Sequence, residues 1–429
     1  MRWLLDALYL LALLLLSPWL IWRAWTTRRY RQGLRDKLFG LSTEVPPGAV
    51  WFHAVSLGEI KVLGQLVPAF RKRHPGRAVI VSSTTDTGLA EARNLFPDLV
   101  VFPFPFDFSW AVTRTLQQVR PALVVLCESE LWPNFLGAAH RLQVPVALVN
   151  GRMSPRSLGR YQLLGPLVRS LFQKLAVIGV QGDDYAAAML ALGGTPGCVV
   201  TTGNLKYDGA LTDPANLRTA ELRRLLGVEE GDTLWVAGSL QAREELPIIT
   251  IFEQVRDHFP ALRLVLVPRQ PERFDELARL LEQRQIPFAR RSQLTTPTRE
   301  RVVLLDSMGE LGALWGLADL AFVGGSLDGV RGGQSMIEPA AFGVAVTFGP
   351  HVWNFRETAR RLVESGGACQ VDDAADLART IPRLLADVEE RRALGALARR
   401  FVLAQQGATQ RTLDLLDRVL ANASAEKAA

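Results

Sequence analysis

The chain reads as an α/β protein made of two doubly wound, Rossmann-like domains, and three observations predict it. Short β-branched runs alternate with amphipathic stretches from about Leu41 onward. The series pauses near residues 205–215 and then starts again. At 429 residues the chain is long enough to hold two full cores. Strand–helix alternation of this kind gives parallel sheets covered on both faces.

Taken in order, the first strands are expected at Val50–Val55, Ala78–Ser82, Leu99–Phe102, Leu123–Leu126, Val146–Val149 and Leu175–Ile178. Helices such as Glu59–Arg73 and Asp107–Val119 fill the intervals. The second series is Thr233–Gly238, Leu262–Val267, Val302–Leu305, Leu317–Val323 and Val344–Thr347. Between them lie Thr201–Asp208 and the polar, helix-starting Thr212-Asp-Pro-Ala-Asn216. The expected divisions are a segment 1–36, a first domain 37–210 and a second domain 211–429, with the final helices free to pack back on the first domain. Doubly wound sheets bind ligands beyond the carboxyl ends of their strands, so a cleft faced by both domains is the expected site.

The opening segment sets the location. Between Trp3 and Trp25 the formal charges are Asp6 and Arg23, and Ala7–Trp22 is an unbroken Leu-rich run. A span takes about 20 apolar residues, so this run is long enough when the two tryptophans mark the interfaces. Arg23, Arg28, Arg29, Arg31, Arg35 and Lys37 follow it and would hold the rest of the chain on the cytoplasmic side. A secretory signal carries its charges before the apolar run, which argues against one here. Spanning and lying in the interface, with Pro18 as a break, both stand as readings. Nothing in the domain pattern requires the segment, so the fold is expected to tolerate its removal.

Other classes fall away. Cys127, Cys198 and Cys369 are far apart, which indicates neither a disulfide framework nor a zinc site. The net charge of +6 includes the juxtamembrane cluster. A second basic group, Arg71, Lys72, Arg73 and Arg77, lacks the interleaved aromatics of a nucleic-acid platform. No Asp-x-Asp string or ligand-spaced histidine pair signals a metal, so neither metal nor cofactor is expected.

Four places carry candidate chemistry. Val323-Gly-Gly-Ser-Leu-Asp-Gly-Val-Arg-Gly-Gly-Gln-Ser-Met-Ile-Glu338 reads as a buried strand, a glycine-dense loop and a helix start. Such a loop lets backbone approach a ligand, the helix start offers N–H groups to an anion, and Glu338 suits the vicinal hydroxyls of a ribose. Gly332-Gly333 is expected at that helix start. Glu59 opens a helix after the first strand, where an ordinary N-terminal carboxylate favoured by the helix dipole gives the same pattern. Glu128 and Glu130 follow the fourth strand, where a cap on a helix near Trp132-Pro133 would give the same pattern for one of them. Arg269, after Pro268, can pair bidentately with a phosphate or carboxylate, or with Glu272 or Glu244.

These residues also carry a resemblance. The strings His53-Ala-Val-Ser-Leu-Gly-Glu59, Glu128-Ser-Glu-Leu-Trp-Pro-Asn134, Asn150-Gly-Arg-Met-Ser-Pro-Arg156, Thr202-Gly-Asn-Leu-Lys-Tyr-Asp208, Pro268-Arg-Gln-Pro-Glu-Arg273 and Met308-Gly-Glu310 occur in one order. With Gly-Gly-Gln-Ser-Met-Ile-Glu338 they make the chain, over essentially its whole length, resemble the bacterial 3-deoxy-D-manno-octulosonic acid (Kdo) transferases. The resemblance implies a membrane-anchored GT-B glycosyltransferase that moves Kdo from CMP-Kdo to the lipid A precursor, lipid IVA, in lipopolysaccharide biosynthesis. It implies inversion at the anomeric carbon without a metal, on the cytoplasmic face of the inner membrane. By the same resemblance Glu59 is the general base and Glu128 a second catalytic carboxylate. CMP contacts fall to Pro268, Arg269, Met308, Gly309, Glu310, Ser335, Met336, Ile337 and Glu338. The family's usual His-Asn is Gln334-Ser335 here, where Ser335 can still cap a helix. Two other readings stay open: a GT-B transferase using a UDP-sugar and a lipid acceptor, and a non-catalytic sugar-nucleotide-binding protein.

Overall fold

A computed structural model of the chain describes residues 2–27, 33–128 and 131–428. It divides into two compact units, one of Met1–Gly209 with Gln406–Ala429 and one of Ala210–Gln405. The last helix, Ala408–Ala428, therefore belongs with the first unit.

Unit 1 holds strands β1 (Val50–Ala54), β2 (Val79–Ser83), β3 (Val100–Pro103), β4 (Leu123–Cys127), β5 (Val146–Gly151), β6 (Val177–Val180) and β7 (Val199–Thr201). Their order in the sheet is β3-β2-β1-β4-β5-β6-β7, with every pairing parallel. Both faces are covered, as alternate residues show: Trp51 packs in one core with Phe102, Phe104 and Phe135, while Val50 and Phe52 pack in the other. That second core includes Leu413, Leu416 and Val419 of the last helix. Asp208 fixes the start of this helix by accepting from the N–H groups of Gly407 at 2.8 Å and Thr409 at 2.5 Å.

Unit 2 holds β8 (Thr233–Leu240), β9 (Leu262–Pro268), β10 (Ala289–Arg290), β11 (Val302–Leu304), β12 (Leu320–Val323), β13 (Ala345–Phe348) and β14 (Ala368–Gln370). The order is β10-β11-β9-β8-β12-β13-β14, again all parallel. The short strands β7, β10 and β14 were not expected from the sequence; all are sheet edges of two or three residues, too short for a periodicity to register. The strand expected from Leu317 begins at Leu320, because Trp315–Leu317 forms a 3₁₀ turn.

The opening segment differs from its expected independence. It is a helix, Arg2–Thr27, and Leu8, Leu10, Leu11 and Leu13–Leu16 on it are exposed. Asp6 is buried, however, and its carboxylate accepts the Ser109 N–H at 2.8 Å. The segment is thus tied into unit 1 by polar contacts that an apolar-run reading does not register. The side chains of Arg23 and Trp25, the residues Arg28, Arg29 and Arg31, and Glu130 lie outside the described residues. Among the described residues no helix is long and apolar enough to cross a membrane.

Candidate functional site

The order of a doubly wound sheet reverses at one point, where successive crossovers leave in opposite directions and open a crevice. In unit 1 that point lies between β1 and β4. Glu59 follows β1 and Glu128 follows β4, so the topology brings together two carboxylates that stand 69 positions apart in the chain.

Glu59 lies in the first turn of the helix Leu57–Arg73, whose N-cap is Ser56. Its Oε2 accepts the Val55 N–H at 2.8 Å and its Oε1 the Ser56 hydroxyl at 2.9 Å. The Ser56 Oγ accepts the Glu59 N–H at 3.4 Å in return, a reciprocal cap. Burial pushes the Glu59 carboxyl above its ordinary value; the Val55 N–H opposes this, and the charge of Glu128 adds to it. Burial therefore outweighs the hydrogen bonds from Val55 and Ser56 that would lower it.

Glu128 adopts a left-handed backbone, φ 63°, and its N–H reaches the Val149 carbonyl at 2.9 Å. Its buried carboxylate lies between two cations, with Arg152 Nε at 2.9 Å and Lys206 Nζ at 3.6 Å. Asn150, also left-handed at φ 54°, accepts the Leu205 N–H at 3.0 Å and so fixes the residue before Lys206. Three of the sequence strings meet here. Arg152, Lys206 and Asn150 lay inside those strings without being singled out; the signal that would have found them is the Asn-Gly pair ending a strand, where a non-glycine residue must take positive φ. His53 does no acid–base work: it is fully buried, stacked on Phe104 at 3.8 Å, and burial holds its pKa down to about 3.

In unit 2 the reversal falls between β8 and β12. The glycine-dense loop leaves β12 there, and Glu244, in the helix Ala242–Val255 after β8, holds it. The buried Glu244 carboxylate accepts N–H groups from Gly325 at 2.7 Å, Ser326 at 2.9 Å and Leu327 at 2.9 Å, and from Gln241 at 2.9 Å. A Cβ on Gly324 would stand 2.7 Å from the Ser239 carbonyl oxygen and 2.8 Å from Glu244 Oε2, so only glycine fits. Glu244 was expected only as an alternative partner for Arg269, and it is instead committed to the loop.

The remaining candidates separate by access. Arg269 and Glu338 are exposed, Arg269 just past the end of β9 and Glu338 in the first turn of Ile337–Phe342. Pro268 closes β9 and is buried. Met308 is exposed and Gly309 has φ 84°, while Glu310 pairs with Arg291 at 2.8 Å and accepts from Ser307 Oγ. Met336 and Ile337 are buried, so their side chains are withdrawn from solvent. Two expectations are corrected. The helix begins at Ile337, so Gly332-Gly333, at φ 75° and 80°, lies in the loop and is not a helix start. Ser335 does not cap that helix, whose N-cap is Met336 without a side-chain bond.

The family model described as 3-deoxy-D-manno-octulosonic-acid transferase (kdotransferase) matches residues 26–209. A 3-deoxy-D-manno-octulosonic acid transferase of Haemophilus influenzae is 34% identical over 90% of this chain and 91% of its own length. One from Bordetella pertussis is 36% identical over 95% of this chain and 98% of its own. Among solved structures, a UDP-GlcNAc 2-epimerase from Neisseria meningitidis bound to UDP-GlcNAc aligns with 86% of this chain and 100% of its own, at a TM-score of 0.59 and 12% identity. That likeness gives the fold, which is GT-B-like.

Proposed function

Since the chain belongs to the Kdo transferase family, we propose that it transfers Kdo from CMP-Kdo to the lipid A precursor lipid IVA at the cytoplasmic face of the inner membrane. The observation that carries the reading is the pair Glu59 and Glu128 at the switch point of unit 1, with Glu59 made more basic by burial. In this mechanism the acceptor hydroxyl attacks the anomeric carbon of Kdo while Glu59 takes its proton. The bond to the phosphate oxygen breaks, CMP leaves with the electron pair, and the anomeric centre inverts without a metal.

Glu128 then acts through the cations it holds. Arg152 and Lys206, fixed by the carboxylate and by Asn150, offer positive charge to the sugar carboxylate or to an acceptor phosphate. In unit 2 Arg269 meets the donor phosphate and Glu338 the ribose, with the loop backbone held by Glu244. Pro268, Met308, Gly309, Glu310, Ser335, Met336 and Ile337 complete the CMP environment. The exposed leucines of Arg2–Thr27 face inner-membrane lipid. The experiment is incubation with CMP-Kdo and tetra-acylated lipid A precursor, reading product masses. A product heavier by one or more Kdo residues supports the assignment; hydrolysis or transfer from UDP-sugars in place of CMP-Kdo overturns it.

A further inference from the structure

We propose that the N-terminal helix Arg2–Thr27, through Asp6 and Tyr9, positions the segment that carries Glu128, beyond any part it plays in holding the protein at lipid. The inference rests on the reading of Glu128 as a site residue. Burying a carboxylate in protein demands hydrogen bonds. Asp6 has them. It is buried, with 4% of its surface exposed, although Leu8, Leu10 and Leu11 close by are more than half exposed. Its Oδ1 accepts the Ser109 N–H at 2.8 Å and the Asn134 side-chain amide at 3.1 Å, and its Oδ2 accepts the Ser109 hydroxyl.

Tyr9, one turn on and on the same face, donates to Asp107 Oδ2 at 3.2 Å and sets its ring edge-on to Phe108 at 5.9 Å. Asp107 in turn caps the helix Pro133–Arg141, accepting the N–H groups of Asn134 at 3.1 Å and Phe135 at 2.8 Å. The second hydrogen of the Asn134 amide goes to the Asp107 carbonyl at 2.6 Å. Asp6 and Tyr9 thereby grip both groups that fix where this helix begins, and the helix begins where the Glu128–Asn134 string ends.

The other end of the string is Glu128, bonded to Val149 and held at a positive φ. Such a conformation costs on the order of 1–3 kcal/mol and persists only where its surroundings overdetermine it. A clamp on Asn134, six positions further along the chain, supplies that determination. Asp6 is a positioning residue in this sense: it touches no reacting atom and acts through Asn134 on the place where Glu128 holds Arg152 and Lys206.

The test uses the full chain in detergent micelles with dispersed lipid A precursor, where delivery to a bilayer has no bearing. Asp6→Ala should lower kcat on the order of tenfold, leave the CMP affinity within about twofold, and speed amide exchange in the peptide covering residues 131–136. Asp6→Asn keeps an acceptor for Ser109 and Asn134 and should restore both kcat and exchange. Should Asp6→Ala fail to fold, Tyr9→Phe, which removes a single hydrogen bond, decides by the same two readouts. Unchanged kcat and exchange in the folded variant would overturn the proposal and leave the helix a tether alone. Exchange is read without turnover, so full transfer by Glu128→Gln would remove Glu128 from the site while the clamp itself stayed open to measurement.

Discussion

Glu59 shows how much one residue's setting decides. From the sequence it could be a cap or a base, and the structure makes it a cap whose carboxyl burial raises. Glu59→Gln keeps shape and hydrogen bonding but removes the proton acceptor, so transfer should fall by about 10²–10⁴-fold while CMP binding stays intact. The acid limb of the parent's rate should lie above the ordinary carboxylate value of about 4.3; a limb at or below it would remove Glu59 as the base. Linkage fixes a second sign. A carboxyl raised on folding contributes stability below its ordinary pKa and loses it as pH rises through the folded value. Glu59→Gln should therefore melt above the parent near neutrality but not at about pH 4. For Glu338→Ala, loss of a charged hydrogen bond to ribose is worth about 1.5–3 kcal/mol. Calorimetric titration should show CMP binding weakened roughly ten- to a hundredfold; unchanged affinity places the ribose elsewhere.

At the scale of elements, the long strands and the helices between them were legible because burial on both faces writes continuous apolar runs. What stayed hidden was polar and local. Glu244 read only as an alternative partner for Arg269, since nothing in its neighbourhood points to a loop 81 positions later. Asp107 read as the start of its own helix, yet it caps a different one. Contacts of this kind depend on strand order, which periodicity does not encode. Glu244→Gln would present amide hydrogens to backbone N–H groups that now share a carboxylate. We expect CMP affinity to fall about tenfold with a lower melting temperature. A variant with the parent's affinity and melting point would show that the loop keeps its shape unaided.

For the whole molecule, the sequence suggested an anchor that could be cut away without harm, and the structure shows contacts that its removal would break. Deleting residues 1–36 takes the Asp6 carboxylate from Ser109 and Asn134 and the donating Tyr9 hydroxyl from Asp107. Each hydrogen bond to a charged group so lost is worth about 1.5–3 kcal/mol. The truncated chain should therefore melt several degrees lower in the unit that holds β1–β7, while CMP binding by the other unit persists. Equal melting of truncated and full chains in the same detergent would return the segment to the role of a detachable tether. The exposed leucines also predict a loss of rate on acceptor embedded in vesicles, because attachment raises local concentration.

The last helix, packed by Leu413, Leu416 and Val419 against one face of the first sheet, has a consequence for biogenesis. Seven strands of that sheet leave the ribosome before residue 202, and the helix Leu57–Arg73 covers part of this face, but the part covered by the last helix stays bare until all of unit 2 has been translated. At about 5–20 residues per second the nascent sheet waits some 10–40 s with that part of its apolar face open to water. Unit 2, contiguous in the chain, can close on itself meanwhile. A message truncated before residue 406 should thus yield a soluble CMP-binding module attached to a chaperone-dependent, aggregation-prone first half.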